Sequence, residues 1–131
     1  MQERELNLCD PGDRDLLVSE WLSYAESGDE DFFWADEALA CLIDEDPSLA
    51  WTIILDLVHL APSEGAFDVA AAGPLEDLIA WHGQEMIDLI EQRVQGDEVL
   101  RKALSRVWLN RDDLAPTILE RFCNLGAVRI G

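Results

Sequence analysis

Glu76, Asp77 and His82 fall within two helical turns of one another in the stretch AAAGPLEDLIAWHG, residues 70–83. Carboxylates and imidazole are the groups that serve as general acids, general bases and metal ligands. Helical spacing, however, turns Asp77 well away from the face that holds Leu75, Leu78, Ile79 and His82. A structural reading uses every unusual residue here. Gly73 as N-cap puts Pro74 at the first helical position, and Glu76 then reaches back to the Gly73 N–H like the acid of a capping box. Gly83 closes the helix in the left-handed conformation. That reading is preferred, with a polar contact site at an exposed helix start as its functional rival and catalysis behind both.

Other candidate chemistry is thinner. Asp56 and His59 share one polar edge, but no second pair is placed by sequence to complete a metal site. Cys9, Cys41 and Cys123 are widely spaced and form no C-x-x-C, which argues against a disulfide framework and for a reducing compartment. There is no G-x-S-x-G and no phosphate-cradling glycine loop. No cofactor or metal is expected.

Charge is the strongest compositional feature. The net charge is −19, unevenly spread: residues 1–92 hold 23 acids against Arg4 and Arg14, a net of −21, whereas residues 93–131 carry +2. A surface of that sign repels phosphate backbones, so direct nucleic-acid binding is not expected. No apolar run approaches the roughly 20 residues of a membrane span, and the charged start MQERELNLCDPGDRD has no apolar signal core. These features predict a cytoplasmic protein with no membrane contact.

The elements that must position these groups read as helices throughout. Leu17, Trp21, Tyr24 and Ala25 share a face of a segment that begins near Asp13 and that Gly28 ends. A second stripe runs from Phe32 to Ile43. Asp46 then caps a helix with Pro47 at its first position. That third helix is apolar nearly all round except for Ser48, Thr52, Asp56 and His59, the mark of a central helix with one exposed edge. A short helix follows from Glu64 to about Ala72.

Beyond Gly83, Met86, Ile87, Ile90 and Val94 form the next stripe. Asp97 then caps a helix whose core face is Leu100, Ala103, Leu104, Val107 and Trp108, with Arg101, Lys102 and Arg106 turned away and Glu98 placed to pair with Lys102. A last helix spans about Asp113 to Leu125. The tail AVRI either adds a short strand or frays. The fold expected is all-α, one domain over residues 1–131 with about six to eight antiparallel helices. A shift of 51 residues lays Asp46, Leu49, Ile53 and Leu57 on Asp97, Leu100, Leu104 and Trp108, which suggests a HEAT-like pairing of helices. The expected core contains Trp21, Leu39, Ile53, Leu57, Leu78, Ile90, Leu104 and Trp108.

The segments WADEALACLIDEDPSLAW, AAGPLEDLIAWHG and MIDLIEQRVQGDEVLRKALSRVW, over roughly residues 34–110, resemble the bacterial domain of unknown function 6869. The likeness rests on a G-P-L-E-D-L-(L/I) core, a following H-G, an acid-capped helix and a terminal V-W. Members often carry D-P where this chain has Asp97-Glu98, which leaves the cap intact. The resemblance implies a helical fold and brings no activity. It marks Gly73, Pro74, Leu75, Glu76, Asp77, His82, Gly83 and Trp108 as residues that matter to the family.

Two classes of function are consistent with these residues. One is a protein-binding module, in the manner of an immunity or inhibitor protein, whose acidic surface docks a basic partner through Asp13, Asp15, Glu20, Asp29, Glu30, Asp31, Asp36 and Glu37. The other is a carboxylate-dependent enzyme using the Glu76 helix start or the Asp56–His59 edge. A nucleic-acid mimic is a weaker third. Of these the binding module is preferred, with no catalysis expected; the oligomeric state is left open.

Overall fold

The structure is a computed structural model that describes residue 7 and residues 10–130. Cys9 lies outside the described residues. The described residues are all-α apart from one two-stranded ribbon. Helix α1 (Pro11–Ser27) starts on Asp10, whose carboxylate accepts the Gly12 N–H, and stops at Gly28, whose φ of 68° suits a residue without a side chain. A 3₁₀ turn (Glu30–Phe32) leads into α2 (Phe33–Glu45). Helix α3 (Pro47–Leu60) is capped by Asp46 with Pro47 leading, as the sequence predicts. It packs on α1, on α2 and on the helices that follow it, and Ser48, Thr52, Asp56 and His59 form its exposed edge.

Ser63 caps α4 (Glu64–Ala70), which passes through a π-helical turn (Ala71–Leu75) into α5 (Glu76–Val94) without a break in the helical path. Asp97 caps α6 (Glu98–Leu104) by accepting the Leu100 N–H at 2.9 Å. Strand β1 (Trp108–Asn110), α7 (Pro116–Asn124) and β2 (Val128–Ile130) complete the chain, and the strands pair in parallel with Trp108 opposite Val128. AVRI therefore adds a strand. Helix α7 begins at Pro116 rather than Asp113, because Asp113 is held in a turn by its N–H bond to the Asn110 carbonyl. No helix among the described residues is long and apolar enough to cross a membrane.

One continuous cluster of buried side chains joins the seven helices and β1. Seven of the eight predicted core residues sit in it: Trp21, Leu39, Ile53, Leu57, Leu78, Ile90 and Leu104 are each at most 1% exposed. Trp108 does not; it is 57% exposed. The core reading of Trp108 requires α6 to continue past Leu104, but the N–H groups of Arg106 and Val107 bond to carbonyls three residues back, which unwinds the helix. The chain leaves as a strand, Val107 and Leu109 turn inward and Trp108 turns out. The 51-residue correspondence accordingly holds at the two capping aspartates and the turns that follow, and ends where Leu57 is buried and Trp108 is not.

Candidate functional site

The stretch from Ala70 to Gly83 lies within one continuous helical path, in which a π turn joins α4 to α5. Gly73 is not an N-cap: it lies inside the π turn, and the Glu76 N–H bonds to the carbonyls of Ala71 and Gly73. Pro74 brings no N–H to the ladder, and in a regular helix its ring meets the carbonyl four residues back. The wide turn relieves that contact and lets the helix run on. Pro74 and Leu75 are buried there.

With its N–H neighbours already bonded, Glu76 turns elsewhere. Its Oε1 accepts the Trp108 N–H at 2.7 Å and ties the open edge of β1 to α5. Asp77, next to it, is half-buried, and its carboxyl is raised from the ordinary range, first by burial and then by the nearby charges of Glu76 and Asp36. Glu76→Ala should lower stability by about 1–2 kcal/mol, the range for a hydrogen bond to a charged group that is partly solvated. The loss should appear as faster amide exchange at Trp108; unchanged exchange there would separate Glu76 from the ribbon.

Gly83 is not a left-handed terminus either. Among the described residues only Gly28 and Gly126 have positive φ. The irregular residue is His82, at φ −135° and ψ 20°, where α5 kinks. Gly83 is buried at the kink because other side chains occupy the space of a Cβ: such an atom would lie 2.8 Å from Leu114 Cδ2 and 3.1 Å from Phe122 Cε2. The missing side chain seats α7 and the loop before it against α5. Arg121 of α7 secures the contact by donating to Asp88 and Glu91 of α5.

Kink and close approach leave a cavity of about 390 Å³ between α5 and the loop before α7, lined by Trp81, His82, Gln84, Glu85, Asp113 and Leu114 together with Ala80, Gly83 and Ala115. Glu85 and Asp113 have no ion-pair partner among the described residues, and Trp81 is 53% exposed. His82 Nε2 is buried without a hydrogen-bond partner, a condition that costs about 1–3 kcal/mol and that native proteins keep rare.

A second polar centre was missed as a site in the sequence, where Asp97 reads only as a cap. Its Oδ1 accepts the Leu100 N–H, while Oδ2 accepts from Arg93 Nε at 3.0 Å and lies 2.7 Å from His59 Nε2. Burial pushes the Asp97 carboxyl up, but the hydrogen bonds from Leu100, Arg93 and His59 outweigh it and leave the group below the usual carboxylate range. His59, on the polar edge it shares with Asp56, thus bonds Asp97 and builds no site with Asp56; Oδ1 of Asp97 holds α6 while Oδ2 ties it to α5 and α3. The spacing of 51 residues between two capping aspartates was the one available signal.

The residues proposed from sequence as a catalytic group separate: Glu76 serves β1, Asp77 sits near Asp36 of α2, and His82 lines the α5–α7 cavity. Among the described residues no three His, Cys, Asp or Glu side chains are grouped to hold a metal ion. Cys41 is exposed and Cys123 half-buried, both free.

Of the eight acidic residues assigned to partner contact, three have internal duties. Asp13 accepts the Asn7 N–H, Asp29 accepts the Asp31 N–H, and Asp36 accepts from Trp21 Nε1. Asp15, Glu20, Glu30, Asp31 and Glu37 offer side chains with no such bond among the described residues, Glu20 partly buried and the other four exposed. The expected Glu98–Lys102 pair does not form. Lys102 reaches Glu64 at 2.6 Å and Arg106 reaches Asp68 at 2.9 Å, because α4 brings its own carboxylates against α6.

No match was found among curated proteins or among solved structures. A family model does match, over residues 23–128, a longer span than the motif alone suggests, and the chain belongs to that family, the Family of unknown function DUF6869.

Proposed function

We propose that the protein is a small acidic binding module that docks a basic protein, with the surface of α1, the 3₁₀ turn and α2 as the first point of encounter. The observation that carries this reading is where the ion pairs fall. Among the described residues, Arg93, Lys102, Arg106 and Arg121 pair with Glu64, Asp68, Asp88, Glu91 and Asp97. No carboxylate from Asp10 to Asp56 pairs with any of them. The ion pairs gather at the α4–α7 end, and the carboxylates of α1–α2, which outnumber the single Arg14 of α1, project their negative field outward. Such a field accelerates the approach of a basic partner and weakens with salt. A cytoplasmic immunity or inhibitor protein is the kind of molecule that uses such a surface.

The test begins with a partner captured at low salt and identified by mass spectrometry. Its association rate should fall about tenfold or more between low and high ionic strength, with dissociation changing less. Glu30→Lys with Asp31→Lys should slow association strongly, whereas Arg101→Glu with Lys102→Glu should not. Asp29 is better left intact, since its carboxylate caps the 3₁₀ turn. Association indifferent to salt, or sensitive only to the α6 reversal, refutes the proposal and makes the acidity a solubility feature.

A further inference from the structure

The cavity at the α5 kink has a lining that suits one kind of ligand. Its two charged side chains, Glu85 and Asp113, are both carboxylates, and no Lys or Arg contributes to the wall. Trp81 and Glu85 stand on either side of the His82 kink and both line the cavity, so an indole and a carboxylate flank the same opening. His82 lines the same cavity, its Nε2 buried with no partner.

We propose that this cavity receives a guanidinium group, presented by an arginine side chain of the basic partner. The inference rests on the basic-partner reading and adds to it a seat for one anchoring residue.

The chemistry selects guanidinium over ammonium. A guanidinium carries five N–H donors in a planar fork, enough to meet two carboxylates at once. Its flat face stacks on an indole, where the ring quadrupole attracts a cation. Desolvated arginine anchored in a pocket beside an aromatic ring is the arrangement that dominates many protein interfaces. A volume of about 390 Å³ leaves room for the planar head and the methylenes behind it. The acidic field of α1–α2 supplies long-range attraction and the cavity supplies the short-range seat.

The probe is N-acetyl-arginine amide, titrated into the intact protein and followed by the Trp81 indole and Gly83 amide NMR signals. Saturable shifts confined to these and neighbouring residues are expected. The citrulline analogue, of the same shape without charge, should produce none, and the lysine analogue should bind at least several-fold more weakly. Glu85→Gln and Asp113→Asn should each weaken binding about tenfold, and both side chains are exposed, so folding is preserved. Glu30→Lys with Asp31→Lys should leave the amide's affinity unchanged while slowing the protein partner.

Shifts that persist with citrulline, that ignore Glu85→Gln, or that spread over the acidic helices overturn the proposal. Free arginine binding more tightly than the amide would assign the seat to a small molecule and likewise overturn the side-chain claim. If the amide fails while partner association stays salt-dependent, the cavity inference falls alone. If the amide binds and association ignores salt, the acidic-face reading falls instead.

Discussion

Asp97→Ala should destabilise the fold by about 2–4 kcal/mol, the sum expected from a lost helix cap and from hydrogen-bonding groups left without their partner. The side chain is among the few polar ones that are buried, and its two oxygens serve α6, α5 and α3 together through Leu100, Arg93 and His59. Asp97→Asn keeps an oxygen for the cap but loses the charge, so its cost should be roughly half as large.

The pH dependence follows from the direction of the shift. A carboxyl held below its unfolded value contributes stability that is complete above the unfolded pKa, near 4, and is lost as pH falls through the lower folded value. The difference in urea midpoint between wild type and Asp97→Asn should therefore be full at neutral pH and close as the pH drops below about 4. A gap that stays constant into acid would mean that the charge contributes nothing and that the cap alone acts.

Gly83→Val is the second large effect expected, a loss of about 2–3 kcal/mol from overpacking. The new methyls extend from a Cβ already 3.1 Å from the fully buried Phe122. That ring must give by a few tenths of an ångström for the Cβ alone and much further for a branched side chain, so α7 must lift from α5. Enhanced amide exchange along α7, with loss of the Arg121 contacts to Asp88 and Glu91, is the expected signature. Gly83→Ala should cost far less. The nearest obstacle is the end of the Leu114 side chain, which can swing away, and alanine gains about 1 kcal/mol of helix propensity over glycine. This pair of variants separates close approach from the left-handed terminus that the sequence suggests. At a left-handed position alanine itself would be strained, and both variants would be costly.

What the sequence alone determined was local. Caps at Asp46 and Asp97, the left-handed stop at Gly28 and the polar edge of α3 all depend on neighbours within one or two turns. The amphipathic stripes found their core for the same reason, since one helix face is buried whatever the partner. The family motif was legible too, but not its purpose. Gly73-Pro74 looks like a helix start because proline ordinarily makes one, and only the packing of α4 and α5 on a common core keeps the helix continuous through a widened turn. Glu76 reads as a capping acid until Trp108 arrives from 32 residues away. Gly83 is a glycine because Leu114 and Phe122 arrive there, and His59 meets Asp97 across 38 residues. Trp108 was misplaced because helical spacing from Leu104 counts it inward, while three-residue hydrogen bonds end the helix first. Local propensity chooses elements through short-range hydrogen bonds, but which side chains converge depends on contacts between distant segments. Tertiary packing therefore set the structural role of the motif, tying Glu76 to the ribbon and opening a polar cavity beside His82 at the α5 kink.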